Sequence, residues 1–148
     1  AILDLVGTME WLETHGVPVI GYGTDQLPAF YSQDSGLDVE VRADTPEEVA
    51  DLVAAHRKLE LTGSTLVVVP VPPDAGVQKV EIESAIDRAL SRAEVEGVVG
   101  KALTPFLLEQ LVLLTGGSSL NANIALLVNN ARVAAQISVA LSLEPMRI

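Results

Sequence analysis

The 148-residue chain contains no cysteine. That absence excludes disulfides and thiol catalysis, and it accords with a reducing cytoplasm, the expected location. Aromatic residues are almost as scarce, at 3%, so the core has to be assembled from Ala, Val, Leu and Ile. Positive charge is also short. Nine Lys and Arg face 20 Asp and Glu, a formal net charge of −11. Such a balance argues against general nucleic-acid binding, which requires basic surface to displace counterions. A single nucleotide or sugar phosphate is not excluded, because a few placed donors suffice. The opening AILDLVGTMEWL lacks the basic segment of a secretory leader and already carries Asp4 and Glu10.

Hydrophobic residues make up 49% of the chain and charged residues 20%, the composition of a globular α/β or helical domain. The length corresponds to one domain, able to bury roughly 68–70% of its unfolded surface. One stretch, SSLNANIALLVNNARVAAQISVAL at 118–141, is long and apolar enough to suggest a membrane span. Asn121, Asn123, Asn129, Asn130 and Arg132 interrupt it, and we expect no membrane role. At the other end, helical spacing (Leu3, Val6, Trp11, Leu12) begins almost at once, with no evident cap or connecting segment. The chain is therefore expected to enter a larger fold partway through.

Periodicity predicts a helix over 2–15 stopped by Gly16, then a buried strand over 17–22. A loop, GTDQLPAFYSQDSG, leads to a short strand at 39–42. Thr45, Pro46 and Glu48 carry the signature of a capping box with proline in the first helical position. The helix they start is expected to run to about Leu61. A second buried strand, TLVVVPV, occupies 65–71, followed by a helix over 81–96. Thr104-Pro105 is read as the start of another helix ending at Gly116-Gly117, and a last helix spans about 120–141. Helices alternating with two or three apolar strands imply α/β, with a sheet covered on both faces. The sheet is small for so many helices, so more of it is expected upstream or in a partner chain.

Few residues suggest chemistry. Gly21-x-Gly23 follows a strand, where α/β sheets place ligands, but the third glycine and the following helix of a dinucleotide loop are missing. An ordinary turn accounts for it, with Thr24 and Asp25 left as candidates to line a pocket. TGGSS at 115–119 precedes a helix N-terminus that could hold an anion; a helix stop with a serine cap accounts for it equally. His15 and His56 have no spaced second ligand and are read as surface or cap residues. No carboxylate cluster has metal-ligand spacing. Lys58, Lys79 and Lys101 are candidate amine nucleophiles without an evident desolvated pocket. On the last helix Asn123 and Asn130 share a stripe with Leu127 and Ala134, beside an apolar stripe of Leu120, Ile124, Val128, Ala131 and Ala135 expected to be buried. The amides are thus expected at the edge of buried surface, as site donors or as structural partners of loops or another subunit.

Taken together, ILDLVGTMEWLETHGVPVIGYGTDQLPAFYSQDSG, DTPEEVA, the Pro-x-Pro after the second long strand, GKALTPFLL and TGGSSLNANIALLVNNARVAAQI resemble the pseudouridine-5′-phosphate glycosidase family, also called indigoidine synthase A-like. The resemblance runs from Ile2 to about Leu141 and covers only the C-terminal half of that family. It implies a three-layer α/β/α fold with a mixed sheet, here present in part as residues 1–148, and a homotrimer. It also implies cleavage of the C–C glycosidic bond of pseudouridine 5′-phosphate to uracil and ribose 5-phosphate through a lysine Schiff base. By the same resemblance a glutamate is expected to act as acid and an aspartate to hold a divalent metal, manganese. The family's active-site asparagine falls on Asn123; Asn130, Thr24 and Asp25 are weaker candidates for substrate contact. The lysine, the glutamate and the metal-binding aspartate are expected in an N-terminal half that precedes Ala1. Two departures from the family pattern, Leu27 and Val69, have no evident bearing on the chemistry. Three readings follow: the C-terminal part of such an enzyme, inactive alone; a non-catalytic sugar-phosphate-binding or assembly module; or a different sugar-phosphate enzyme using one of its own lysines.

Overall fold

The computed structural model describes residues 4–29, 31–32, 35–60, 63–77 and 79–143. Helix α1 spans Leu5–Thr14, and the first residues of the predicted helix lie outside the described ones. It does have a cap: the Asp4 carboxylate accepts the Gly7 N–H at 2.9 Å. A single acid one residue ahead of a helix was not recognised as a start. Gly7 gives it room, since a Cβ there would stand 2.7 Å from Asp4 Oδ2.

Strands β1 (Val19–Tyr22), β2 (Val41–Ala43) and β3 (Leu66–Val68) form a sheet in the order β2-β1-β3. All three run parallel, with Ile20 opposite Val41 and Val67. Among the described residues the antiparallel pairing is confined to one bridge, Gln26 to Asp38, outside the sheet. The predicted strands are longer because apolar residues also flank the ladders: Val17 and Pro18 precede β1, and Val69, Pro70 and Val71 follow β3, all in half-buried or buried loops.

Helix α2 (Pro46–Lys58) carries β2 across β1 to β3, and it starts as predicted. Thr45 Oγ1 accepts the Glu48 N–H at 3.2 Å, while Glu48 Oε2 accepts from the backbone of Thr45 and Asp44 at 3.3 and 2.6 Å. It stops earlier than expected, because Glu60 turns left-handed at φ 55° directly after the Leu59 C-cap. The first apolar core lies between this helix and the sheet: Ile20, Ala43 and Val49 are buried, with Val53, Val67 and Ile137 packed around them.

Helix α3 (Lys79–Val95), a 3-10 turn (Gly100–Ala102), α4 (Leu103–Leu114) and α5 (Ser118–Leu143) complete the described chain. Thr104 is not a cap, since the 3-10 turn feeds directly into α4 and places Thr104 inside its first turn. A second core joins α3, α4 and α5 through Ile82, Ile86, Leu111, Ala122 and Leu126, with Tyr31 and Val71 from the loops. Burial raises the Tyr31 phenol above its ordinary pKa by removing solvent from the charged form. Helix α5 thus contributes Leu126 to one core and Ile137 to the other.

A non-glycine residue in the left-handed region costs about 1–2 kcal/mol. Glu60→Gly should therefore raise stability by about 1 kcal/mol, or roughly 2–4 °C in Tm for a chain of this size. Calorimetry showing no rise would mean that the Glu60 conformation is unstrained.

Candidate functional site

Parallel strands send their following loops to one end of the sheet, and sites form there. At that end β1 continues into Gly23 and Thr24 and β3 into Val69–Pro73, facing α5. Between them opens a cleft of about 570 Å³ lined by Tyr22, Thr24, Pro70, Pro72, Asn129 and Arg132 among others. Gly21 has its own reason to lack a side chain: a Cβ would collide with the Thr24 carbonyl oxygen and stand 2.7 Å from Val39. The Gly21-x-Gly23 pair therefore serves a tight return of the loop, completed by the Gly23 N–H donating to the Ala43 carbonyl at 2.8 Å. It forms no cofactor loop.

Arg132 supplies the charge in the cleft. Its guanidinium donates to Asn129 Oδ1 at 2.8 Å and to Gln136 Oε1 at 3.1 Å, both neutral acceptors. It forms no ion pair among the described residues. Arg42 provides the contrast: its guanidinium meets Asp25 at 2.6 Å and Asp44 at 2.8 Å. Hydrogen bonds to Asp44 and Asp25 hold its pKa above the ordinary arginine value. Arg42 is compensated by two carboxylates, whereas Arg132 is oriented by amides that leave its charge available. A guanidinium fork of this kind suits a phosphate or carboxylate. Asn129 also reaches the Pro70 carbonyl at 3.5 Å, the outer limit of a hydrogen bond, and so bridges α5 to the loop after β3.

The predicted candidates divide. Thr24 lines the cleft, with its hydroxyl engaged by Gln26 at 2.9 and 3.1 Å. Asp25 does not; it is exposed and paired with Arg42. Asn123 is half-buried and Asn130 exposed, and neither lines the cleft. The sequence presents Arg132 as an obstacle to membrane insertion and gives one signal of its role in the cleft, a spacing of three from Asn129 on a helix.

TGGSS is a helix junction. Gly116 and Gly117 turn left-handed, at φ 56° and 90°. The N–H groups that would hold an anion are already engaged, Ser118 by the Thr115 carbonyl at 3.1 Å and Ser119 by the Thr115 hydroxyl at 3.2 Å. His15 is exposed, with Nδ1 2.8 Å from the Trp11 carbonyl. His56 departs from the surface reading, since its Nε2 is buried without a hydrogen-bond partner. No group of three His, Asp or Glu among the described residues could hold a metal.

A parallel α/β sheet with an arginine-bearing cleft beyond its carboxyl ends defines this as an α/β domain with a site suited to an anionic ligand. The particular family follows from comparison. The chain belongs to the indigoidine synthase A like protein family, whose model matches residues 1–140. It is 51% identical over 142 residues to a pseudouridine-5′-phosphate glycosidase of Paracoccus denitrificans, covering 96% of this chain and 47% of that protein. A protein of the same name from Methylobacterium nodulans is 53% identical over 141 residues, covering 95% of this chain and 42% of that protein. Among solved structures, the prealnumycin C-glycosynthase AlnA in complex with ribulose 5-phosphate superposes with a TM-score of 0.85 at 38% identity, covering 95% of this chain and 46% of that chain. An indigoidine synthase A-like protein from Thermotoga maritima gives 0.80 at 40%, with the same coverage. The fold is thus the indigoidine synthase A-like α/β fold, and the chain spans about half the length of the curated relatives it matches.

If Arg132 is the anion donor, 50 mM inorganic phosphate should raise the Tm of the chain above that in chloride of equal ionic strength. Arg132→Met should abolish the rise while leaving the Tm in chloride within a few degrees. An equal rise in the variant would remove Arg132 from the site.

Proposed function

We propose that the chain is the C-terminal part of a pseudouridine-5′-phosphate glycosidase, which cleaves the C–C bond between base and sugar to give uracil and ribose 5-phosphate. The observation that carries this reading is the 51% identity, over 96% of the chain, to a relative of that name. The Arg132 cleft suits a phosphate in general, but Asn123 lies outside it, so the reading rests on the identity and not on the cleft. In this reading a lysine of the upstream half forms a Schiff base with the sugar carbon, and a glutamate there acts as acid. Asn123 supplies a neutral amide to the reacting sugar or base, a donor and acceptor that does not titrate in the working range. A manganese ion belongs to the same upstream half. The described residues offer no set of ligands that fits one. The assembly is a cytoplasmic homotrimer.

A second reading, a sugar-phosphate-binding module without catalysis, is favoured by one observation: among the described residues the cleft is lined by an arginine but by no lysine. Borohydride trapping with ribose 5-phosphate separates the possibilities. On the first two readings the chain alone gives no adduct at Lys58, Lys79 or Lys101, whereas an adduct there would establish a separate enzyme using its own lysine. Uracil release is then measured on a chimera in which this chain replaces the matched segment of the Paracoccus denitrificans relative. Release supports the glycosidase; its absence from a folded chimera that still binds ribose 5-phosphate supports the module.

Within an active chimera, Asn123→Ala should lower kcat by about 10²-fold or more if the amide stabilises the transition state; an unchanged rate would exclude that role. Asn130→Ala should mainly lower thermal stability or disturb assembly. A selective loss of turnover in that variant would instead place Asn130 at the chemistry.

A further inference from the structure

The stripe of α5 that was expected to be buried is the one that is exposed. The helix buries Ser119, Ala122, Leu126, Val133 and Ala140. At about 100° per residue, Leu120, Ile124, Leu127, Val128, Ala131 and Ala135 fall on the side away from that stripe. The four large ones are 45–65% exposed. Further along, Val139 and Leu143 are also exposed, at 60% and 76%. An exposed apolar face unbroken from Leu120 to Ala135, on a helix roughly 39 Å long, is unusual on a self-sufficient domain, where large exposed patches mark interaction sites. Helix α1 has no buried residue among those described and leaves Val6 and Trp11 more than half exposed.

We propose that the outer face of α5 is the docking surface for the other half of the family's polypeptide, the part of the relatives that this chain does not span. Two observations identify the occupant. Matches cover 93–96% of this chain but only 42–49% of the relatives, so a polypeptide of about equal size accompanies this fold in each of them. In addition, α5 is apolar on both sides, the pattern of a helix enclosed within a larger protein. A bilayer is the poorer occupant although α5 is long and apolar enough to cross one. Its inner stripe is already committed to two protein cores, and Asn123, Asn130 and Arg132 flank the outer stripe. Asn123 and Asn130 lie between the inner and outer stripes, so they would stand at the seam between the halves. That last consequence rests on the reading of Asn123 under Proposed function; the docking surface itself rests only on family membership and exposure.

The test labels single cysteines introduced at Val128 and Leu127, in a chain that has none of its own. Labelling is followed by peptide mass spectrometry in the isolated chain and in the chimera with the Paracoccus denitrificans relative. We expect fast labelling in the isolated chain, near the rate of the urea-unfolded protein, and at least tenfold slower labelling in the chimera. Equal rates in the two would overturn the proposal. So would slow labelling in the isolated chain accompanied by a dimeric or trimeric mass in light scattering, which would make a second copy the occupant. Slow labelling only with vesicles of 3:1 phosphatidylcholine and phosphatidylglycerol would make it a bilayer. As a second measure, Ile124→Lys with Val128→Lys should leave the isolated chain's Tm unchanged and lower that of the chimera by 10 °C or more; an unchanged chimera would also overturn it. None of these readouts depends on turnover, so a chimera that buries α5 without releasing uracil separates this surface from the proposed reaction.

Discussion

Everything described here depends on β1 lying in the middle of a parallel sheet. Its ladders to Val41–Ala43 on one side and Leu66–Val68 on the other align three strands so that their carboxyl ends open together. Parallel pairing requires a crossover, and α2 provides it, burying Val49 against Ile20 and Ala43. The same alignment brings the loops after β1 and β3 alongside α5. Without Gly21 the β1 loop could not fold back onto Val39, and the cleft wall that holds Tyr22 and Thr24 would be lost.

The asparagines of α5 resolve into separate physical roles. Asn129 bridges Arg132 and the Pro70 carbonyl, tying the helix to the loop after β3 and orienting a guanidinium. Asn121 and Asn130 are exposed, and Asn123 is half-buried; none of these three has a side-chain hydrogen bond among the described residues. Asn123 and Asn130 do stand at the edge of buried surface, as expected, but the apolar stripe they border on the other side is exposed and not buried. The cost of a buried, unsatisfied amide, about 1–3 kcal/mol, is avoided because these three are not fully buried in this chain.

Arg132 illustrates how charge composition and local geometry combine. At a net charge of −11, the long-range field of the chain opposes an anionic ligand. Most of that charge is screened beyond about 10 Å at ordinary ionic strength. A nearby guanidinium held by neutral amides then outweighs distant carboxylates, whereas Arg42, clasped by Asp25 and Asp44, has no such capacity.

Local rules made much of the fold legible. The capping box at Thr45, the stop at Gly16, the glycine junction between α4 and α5 and the apolar runs of β1 and β3 each depend on contacts within a few residues, which a sequence displays directly. The strand ends did not follow from apolarity alone, because a buried loop and a buried strand have the same composition. The sequence also revealed the family, since long ordered motifs survive where isolated glycines say little. Tertiary structure alone decided which stripe of α5 faces inward, since that helix is apolar nearly all round and its periodicity admits more than one orientation. It likewise separated Thr24 from Asp25, adjacent in sequence but divided between a cleft and a surface ion pair. Arg132's partners Asn129 and Gln136 stand one helical turn away and are legible from spacing, but that this face of α5 meets the loop after β3 to form a cleft is decided by packing, which no local pattern encodes.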